Sequence, residues 1–127
     1  MNSFRLASQG ILLSLCTVLS VNVFAAGDAK SGADIFMSDC ADCHTVKAGI
    51  NKKGPTLFNI LNRHSGSIEN FKYSPAVKSA NLIWTEENLE VLMTNPKKII
   101  PGIKMKYTGL PDKKLRQDLI AYLGAQK

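Results

Sequence analysis

Residues 40–44 read Cys40-Ala41-Asp42-Cys43-His44. Two thiols two residues apart, followed at once by an imidazole, form the sequence to which c-type haem is joined. The spacing has a chemical cause. The thiols add to the two vinyl groups on one edge of the porphyrin, and two intervening residues in a helical turn set both sulfurs against that edge. His44, next in the chain, then falls beneath the iron as its proximal ligand. Two other readings use the same residues. A redox dithiol belongs in a βαβ setting, and no such pattern surrounds the motif. A zinc site needs another ligand beyond two cysteines and one histidine, and the only other histidine, His64, is not in a paired motif.

Outward from the motif, the chain predicts an all-α domain of three to five helices. Residues 28–43 read as helix, with Ala29, Gly32, Ala33 and Phe36 on one face. Residues 45–70 hold Gly49, Gly54, Pro55, Gly66 and scattered asparagines, with no strand alternation. Ser74-Pro75 opens a short helix that ends near Asn81, with serine as N-cap and proline at the first helical position. Thr85 caps another helix, whose first turn carries Glu86 and Glu87, and Asn95-Pro96 stops it. Residues 96–109 read as loop. From Asp112 onward, Leu115, Leu119, Tyr122 and Leu123 form an apolar stripe that ends at Gly124. A loop as long as 45–70 is uncommon in a compact domain, and so few short helices make a thin core. A covalent haem filling the middle accounts for both.

The composition agrees. The 127 residues carry 16 Lys+Arg against 10 Asp+Glu, a net charge of +6, with 45% hydrophobic and 20% charged residues. These figures suit one folded domain and exclude coiled-coil, collagen-like and wholly disordered chains. The first 25 residues hold a single charge, Arg5, followed by an apolar run over 11–24 and then Ala25 and Ala26. That is the pattern of a cleaved secretory signal, with Val23 and Ala25 suited to the cleavage site. An uncleaved membrane anchor is the competing reading, but a span needs about 20 apolar residues and Asn22 interrupts this run. Loss of residues 1–25 removes Cys16 and leaves two cysteines in an oxidising compartment, which places a haem domain at 26–127 in the periplasm.

The sixth position of the iron separates electron transfer from chemistry at an open metal. Met37 lies three residues before Cys40, on the proximal side. Met93 sits beside Leu89 and Leu92, where methionine serves as core filler. Met105 follows Pro101-Gly102, 61 residues after His44, far enough along the chain to wrap round the ring. His64, beside Arg63, could make a bis-histidine site. Met105 is the chosen ligand.

The chain resembles the class I c-type cytochromes, mitochondrial cytochrome c and its bacterial periplasmic relatives. GDAKSGADIF (27–36), CADCHTV (40–46), GPTLFNILNR (54–63), NPKKIIPGIKM (95–105) and DLIAYL (118–123) carry the resemblance. It implies the cytochrome c fold, with Cys40 and Cys43 holding one haem c and His44 and Met105 as axial ligands. It implies that the Pro55 carbonyl accepts the His44 Nδ1–H, and that Arg63, Tyr73, Ser74 and Trp84 hydrogen-bond the haem propionates. Gly32 and Phe36 would pack on Leu119 and Tyr122. Val77, Leu92 and Ile103 stand where relatives often carry asparagine, tyrosine and threonine, so the methionine side is expected to be drier. Tyr107 would lie at the haem edge.

The implied activity is one-electron shuttling without enzymatic turnover. Its partners would be acidic redox proteins: a quinol–cytochrome c oxidoreductase, and a terminal oxidase, reductase, peroxidase or photosynthetic centre. Lys52, Lys53, Lys97, Lys98, Lys104 and Lys106 are expected to ring the exposed edge, with Asp39, Asp42 and Asp112 working against them. The expected protein is a monomer that binds no nucleic acid and touches membranes at most transiently. The alternative is a haem protein whose Met105 leaves the iron, so that it acts as a peroxidase or gas sensor.

Overall fold

The computed structural model describes residues 26–127, and the leader segment 1–25 lies outside them. Each helix begins where a short polar side chain satisfies the free amides of a first turn. The Asp28 carboxylate accepts the N–H of Lys30 and Ser31 and starts α1, Ala29–Ile35. Ser74 caps α2, Pro75–Ser79, with Pro75 in its first turn. Thr85 caps α3, Glu86–Thr94, and Asp112 caps α5, Lys113–Gly124.

Two segments depart from the sequence reading. The first helix does not run through to residue 43. It widens into a π-helical turn, Phe36–Cys40, with the Ala41 N–H donating to the Phe36 carbonyl at 2.9 Å, and then leaves the helix. Nor is 96–109 wholly loop. Pro96–Ile99 forms a single-turn helix, α4, because Asn95 ends α3 and then accepts the Lys97 N–H as a new N-cap. Proline at a first helical position stops one helix and starts the next.

Residues 45–70 contain no helix, as expected, and side chains order them. Thr56, 3% exposed, donates its hydroxyl to the Lys47 carbonyl at 2.7 Å, and its N–H goes to Asn51 Oδ1 at 2.8 Å. Asn59 and Asn62 take the left-handed backbone region, which asparagine tolerates better than most residues.

The core is one apolar cluster of Phe36, Ile60, Trp84, Leu89, Met93, Ile100, Leu119, Ile120 and Leu123. Its backbone is the crossing of α1 on α5. Gly32 permits it: a Cβ there would lie 2.0 Å from the Asp118 carbonyl oxygen, so only glycine lets the two helices touch. Phe36 and Tyr122 pack with ring centroids 5.5 Å apart. The apolar stripe of α5 differs at one point, since Leu115 is 38% exposed whereas Arg116 and Asp118 are buried. Hydrophobic periodicity misses charges that are buried because they are paired, Arg116 with Glu90 and Asp118 with Lys114. Among the described residues no helix is long and apolar enough to cross a membrane.

Candidate functional site

Cys40 closes the π-helical turn, and its carbonyl accepts the N–H of both Cys43 (3.0 Å) and His44 (2.8 Å). The motif therefore folds as a tight turn closed on the Cys40 carbonyl, with Cys43 and His44 at its end. Lys52 donates its ammonium to the Ala41 carbonyl. The Gly54 N–H donates to the Cys43 carbonyl at 2.8 Å, which draws the long loop beneath the motif.

That path delivers Pro55 to the imidazole. His44 Nδ1 donates to the Pro55 carbonyl at 2.7 Å, and because a carbonyl only accepts, the contact fixes the proton on Nδ1 and leaves the Nε2 lone pair free. Gly54 makes the approach possible, since a Cβ there would lie 2.3 Å from the ring's Cε1. Burial lowers the His44 pKa, the Pro55 contact opposes the shift and Arg63 adds to it. The result is a neutral, oriented imidazole, the form that binds a metal.

Cys40 does not have the character of a redox-active thiol. Cys40 is half-buried, and burial first, then Asp39 and Cys43, push its thiol up to about 11, whereas a reactive thiolate needs a lowered value. Among the described residues no group of three or more His, Cys, Asp or Glu side chains is gathered to hold a metal ion, so the zinc reading finds no further donor.

Of the residues expected at the propionates, Arg63 and Trp84 meet through backbone pairing. An isolated antiparallel bridge joins His64 to Ile83, and beside it the Trp84 N–H donates to the Arg63 carbonyl and the Asn62 N–H to the Trp84 carbonyl, each at 2.9 Å. Arg63 spends Nη1 on the Phe58 carbonyl and Nη2 on the Thr56 carbonyl, both at 2.8 Å. Its Nε is buried with no partner among the described residues. A buried guanidinium N–H left unpaired calls for an anion, and a haem carboxylate meets that need. The Tyr73 hydroxyl accepts the Ile68 N–H at 3.4 Å; burial raises its pKa, with the Ile68 contact and then Arg63 opposing the rise. Ser74 Oγ accepts the Val77 N–H at 3.4 Å, so this oxygen serves its own helix first. Trp84 is 8% exposed.

On the other side, the three methionines among the described residues separate cleanly. Met37 is 68% exposed and Met93 is buried in the core. Met105 is half-buried beside a cavity of about 340 Å³ that Ile103, Tyr107 and three lysines also line. Val77, Leu92 and Ile103 pack on the core as apolar groups, and of the three Ile103 also lines the cavity beside Met105. Tyr107 keeps a buried hydroxyl with no hydrogen-bond partner among the described residues, and burial followed by the nearby Asp39 pushes it up to about 12. Lys52, Lys53, Lys97, Lys98, Lys104 and Lys106 are all exposed.

Sequence reasoning missed three contributors: Gly54 behind the imidazole, Lys52 on the motif turn, and the Glu90–Arg116 pair. The short distance from residue 54 to the Pro55 contact is the one signal that could have flagged Gly54.

Comparison with known proteins agrees with this geometry. The family model described as cytochrome c matches residues 29–127. The chain is similar to cytochrome c of Stellaria longipes, 46% identical over 79% of this chain and 94% of the relative. It is likewise similar to cytochrome c of Gibberella zeae, 48% identical over 78% and 94%. Cytochrome c of Euglena viridis is 41% identical over 80% of this chain and 99% of its own length. By its match to that family model over most of its length and its likeness to these relatives, the chain belongs to the cytochrome c family, whose members carry one covalently attached haem c.

Proposed function

We propose that this haem c electron carrier is a one-electron shuttle with His44 and Met105 as axial ligands. Cys40 and Cys43 would hold the ring, and Arg63, Tyr73, Ser74 and Trp84 would serve its propionates. When bound, the haem iron supplies an Fe(III)/Fe(II) couple. The observation that carries the reading is the His44–Pro55 contact, which aims a neutral imidazole and raises its basicity as a ligand. Met105 is the methionine that neither faces solvent nor fills the core. Ile103 lines the same cavity as Met105, and a thioether ligand would favour the less charged ferrous state and so raise the potential.

Exchange would take place at an edge flanked by Lys97, Lys98, Lys104 and Lys106, whose fields add to steer an acidic partner. A quinol–cytochrome c oxidoreductase as donor and a terminal oxidase or other reductase or peroxidase as acceptor fit that chemistry. The apolar run at 11–24, which lies outside the described residues, supports export to the periplasm and loss of 1–25.

The test is optical and electrochemical. Ferric wild-type protein should show the weak far-red charge-transfer band of iron–thioether bonding, and Met105→Ala should abolish it. The same change should lower the potential by on the order of 0.1 V, within the roughly 0.8 V that axial ligands command. Identical spectra for the two proteins would remove Met105 from the iron.

A further inference from the structure

The segment carrying Met105 is held only at its ends. On the near side Ile100 is 2% exposed, its N–H donates to the Pro96 carbonyl at 3.0 Å, and the Ile103 N–H returns to the Ile100 carbonyl at 3.1 Å. On the far side the Leu110 N–H donates to the Met93 carbonyl of α3 at 2.7 Å. Between these anchors, no backbone N–H or carbonyl of residues 104–109 is hydrogen-bonded among the described residues.

One side chain gathers the far anchor. Arg116 of α5 donates Nη1 to the carbonyls of Leu110 (2.6 Å) and Pro111 (2.7 Å), and its Nε donates to Glu90 Oε1 of α3 at 2.7 Å. Arg116 is 8% exposed, so the guanidinium charge is withdrawn from water and depends on its one carboxylate. Removing one partner of such a pair leaves the other charge uncompensated, and the long arginine then gains by turning outward to water. In turning it would release both carbonyls.

We propose that Glu90 is a positioning residue for Met105. By fixing the orientation in which Arg116 grips residues 110 and 111, it sets how readily the 101–109 segment holds its methionine on the iron. The inference rests on Met105 ligation and names the chain's own control over it. A segment without internal bonds has no reserve of its own, so its closure reflects its anchors. Glu90 is the separable part of the device: its side chain is 29% exposed, whereas Arg116 also serves two carbonyls and cannot be removed without uncapping them.

The experiment uses the ferric haem protein with imidazole as a competing ligand, together with denaturant unfolding of each variant. Glu90→Leu should raise imidazole affinity about tenfold, the size expected from losing one charge-assisted hydrogen bond. Glu90→Gln keeps an oxygen for Arg116 Nε, should give a smaller rise of about threefold, and carries the test if the leucine variant does not fold. Lys114→Ala, which breaks the other ion pair of α5, should lower stability without changing imidazole affinity. Wild-type affinity in both Glu90 variants, or an equal rise in Lys114→Ala, would overturn the proposal. An unchanged affinity in Met105→Ala would instead overturn the ligand assignment beneath it.

Discussion

Two parts of the molecule are built on opposite plans. Where α1 crosses α5, backbone meets backbone without side chains between: Gly32 lies against the Asp118 carbonyl, and Asp118 Oδ1 accepts the Asp28 N–H at 2.6 Å while Lys114 closes on the same carboxylate at 2.6 Å. The Met105 segment forms no backbone hydrogen bond along 104–109 among the described residues and hangs between anchors at Ile100 and at Gly109–Leu110, where Gly109 lies against the Thr94 carbonyl. The first plan tolerates no added atom. With Met105 as the proposed ligand, the second would make its hold adjustable from a distance. The fixed turn after α1 would serve haem attachment, and the suspended segment would carry the ligand bond that can open.

The contrast can be broken most severely at Gly32. Gly32→Val places side-chain atoms on the Asp118 backbone and should cost at least about 3 kcal/mol, read as a lower denaturant midpoint with the far-red band retained in whatever fraction folds. A wild-type midpoint would mean that the crossing is looser than the contact distances require.

A smaller effect should come from acid. Asp118 is held below its ordinary value of 3.8 by Lys114 first and the Asp28 amide next, and Asp28 is held below 3.8 by the Lys30 amide. A carboxyl with a lowered folded-state pKa binds its proton more readily when unfolded. Its contribution is therefore complete above about pH 4 and is lost as pH falls through the folded value. Asp118→Asn should flatten this acid limb of stability, measured by denaturant unfolding across pH 2–6. An acid limb as steep as the wild type's would place its origin elsewhere.

The smallest effect belongs to Met93→Leu. Met93 is 7% exposed in α3 and fills volume, so the exchange should cost less than about 1.5 kcal/mol and leave spectrum and potential unchanged. A lost far-red band in this variant would show that the core of α3 reaches the ligand segment more directly than the Leu110–Met93 hydrogen bond alone suggests.

What the sequence determined by itself was local. The Cys40-Ala41-Asp42-Cys43-His44 spacing, the caps at Ser74 and Thr85, and the irregular stretch 45–70 could be read directly, because each depends on residues close together in the chain. Tertiary structure decided the rest. The π-helical turn at 36–40 starts at Phe36, whose ring packs on Tyr122 of the last helix, a contact across most of the chain. Leu115 faces outward and Arg116 inward because Glu90, 26 positions away, supplies the missing charge. Arg63 meets Trp84 through a two-segment pairing that no periodicity encodes, and its orphaned Nε emerges only once the Thr56 and Phe58 carbonyls have taken the other nitrogens. Pattern reports which side chains avoid water. Which buried charges find partners depends on contacts between distant parts of the chain, and those exist only after it has folded.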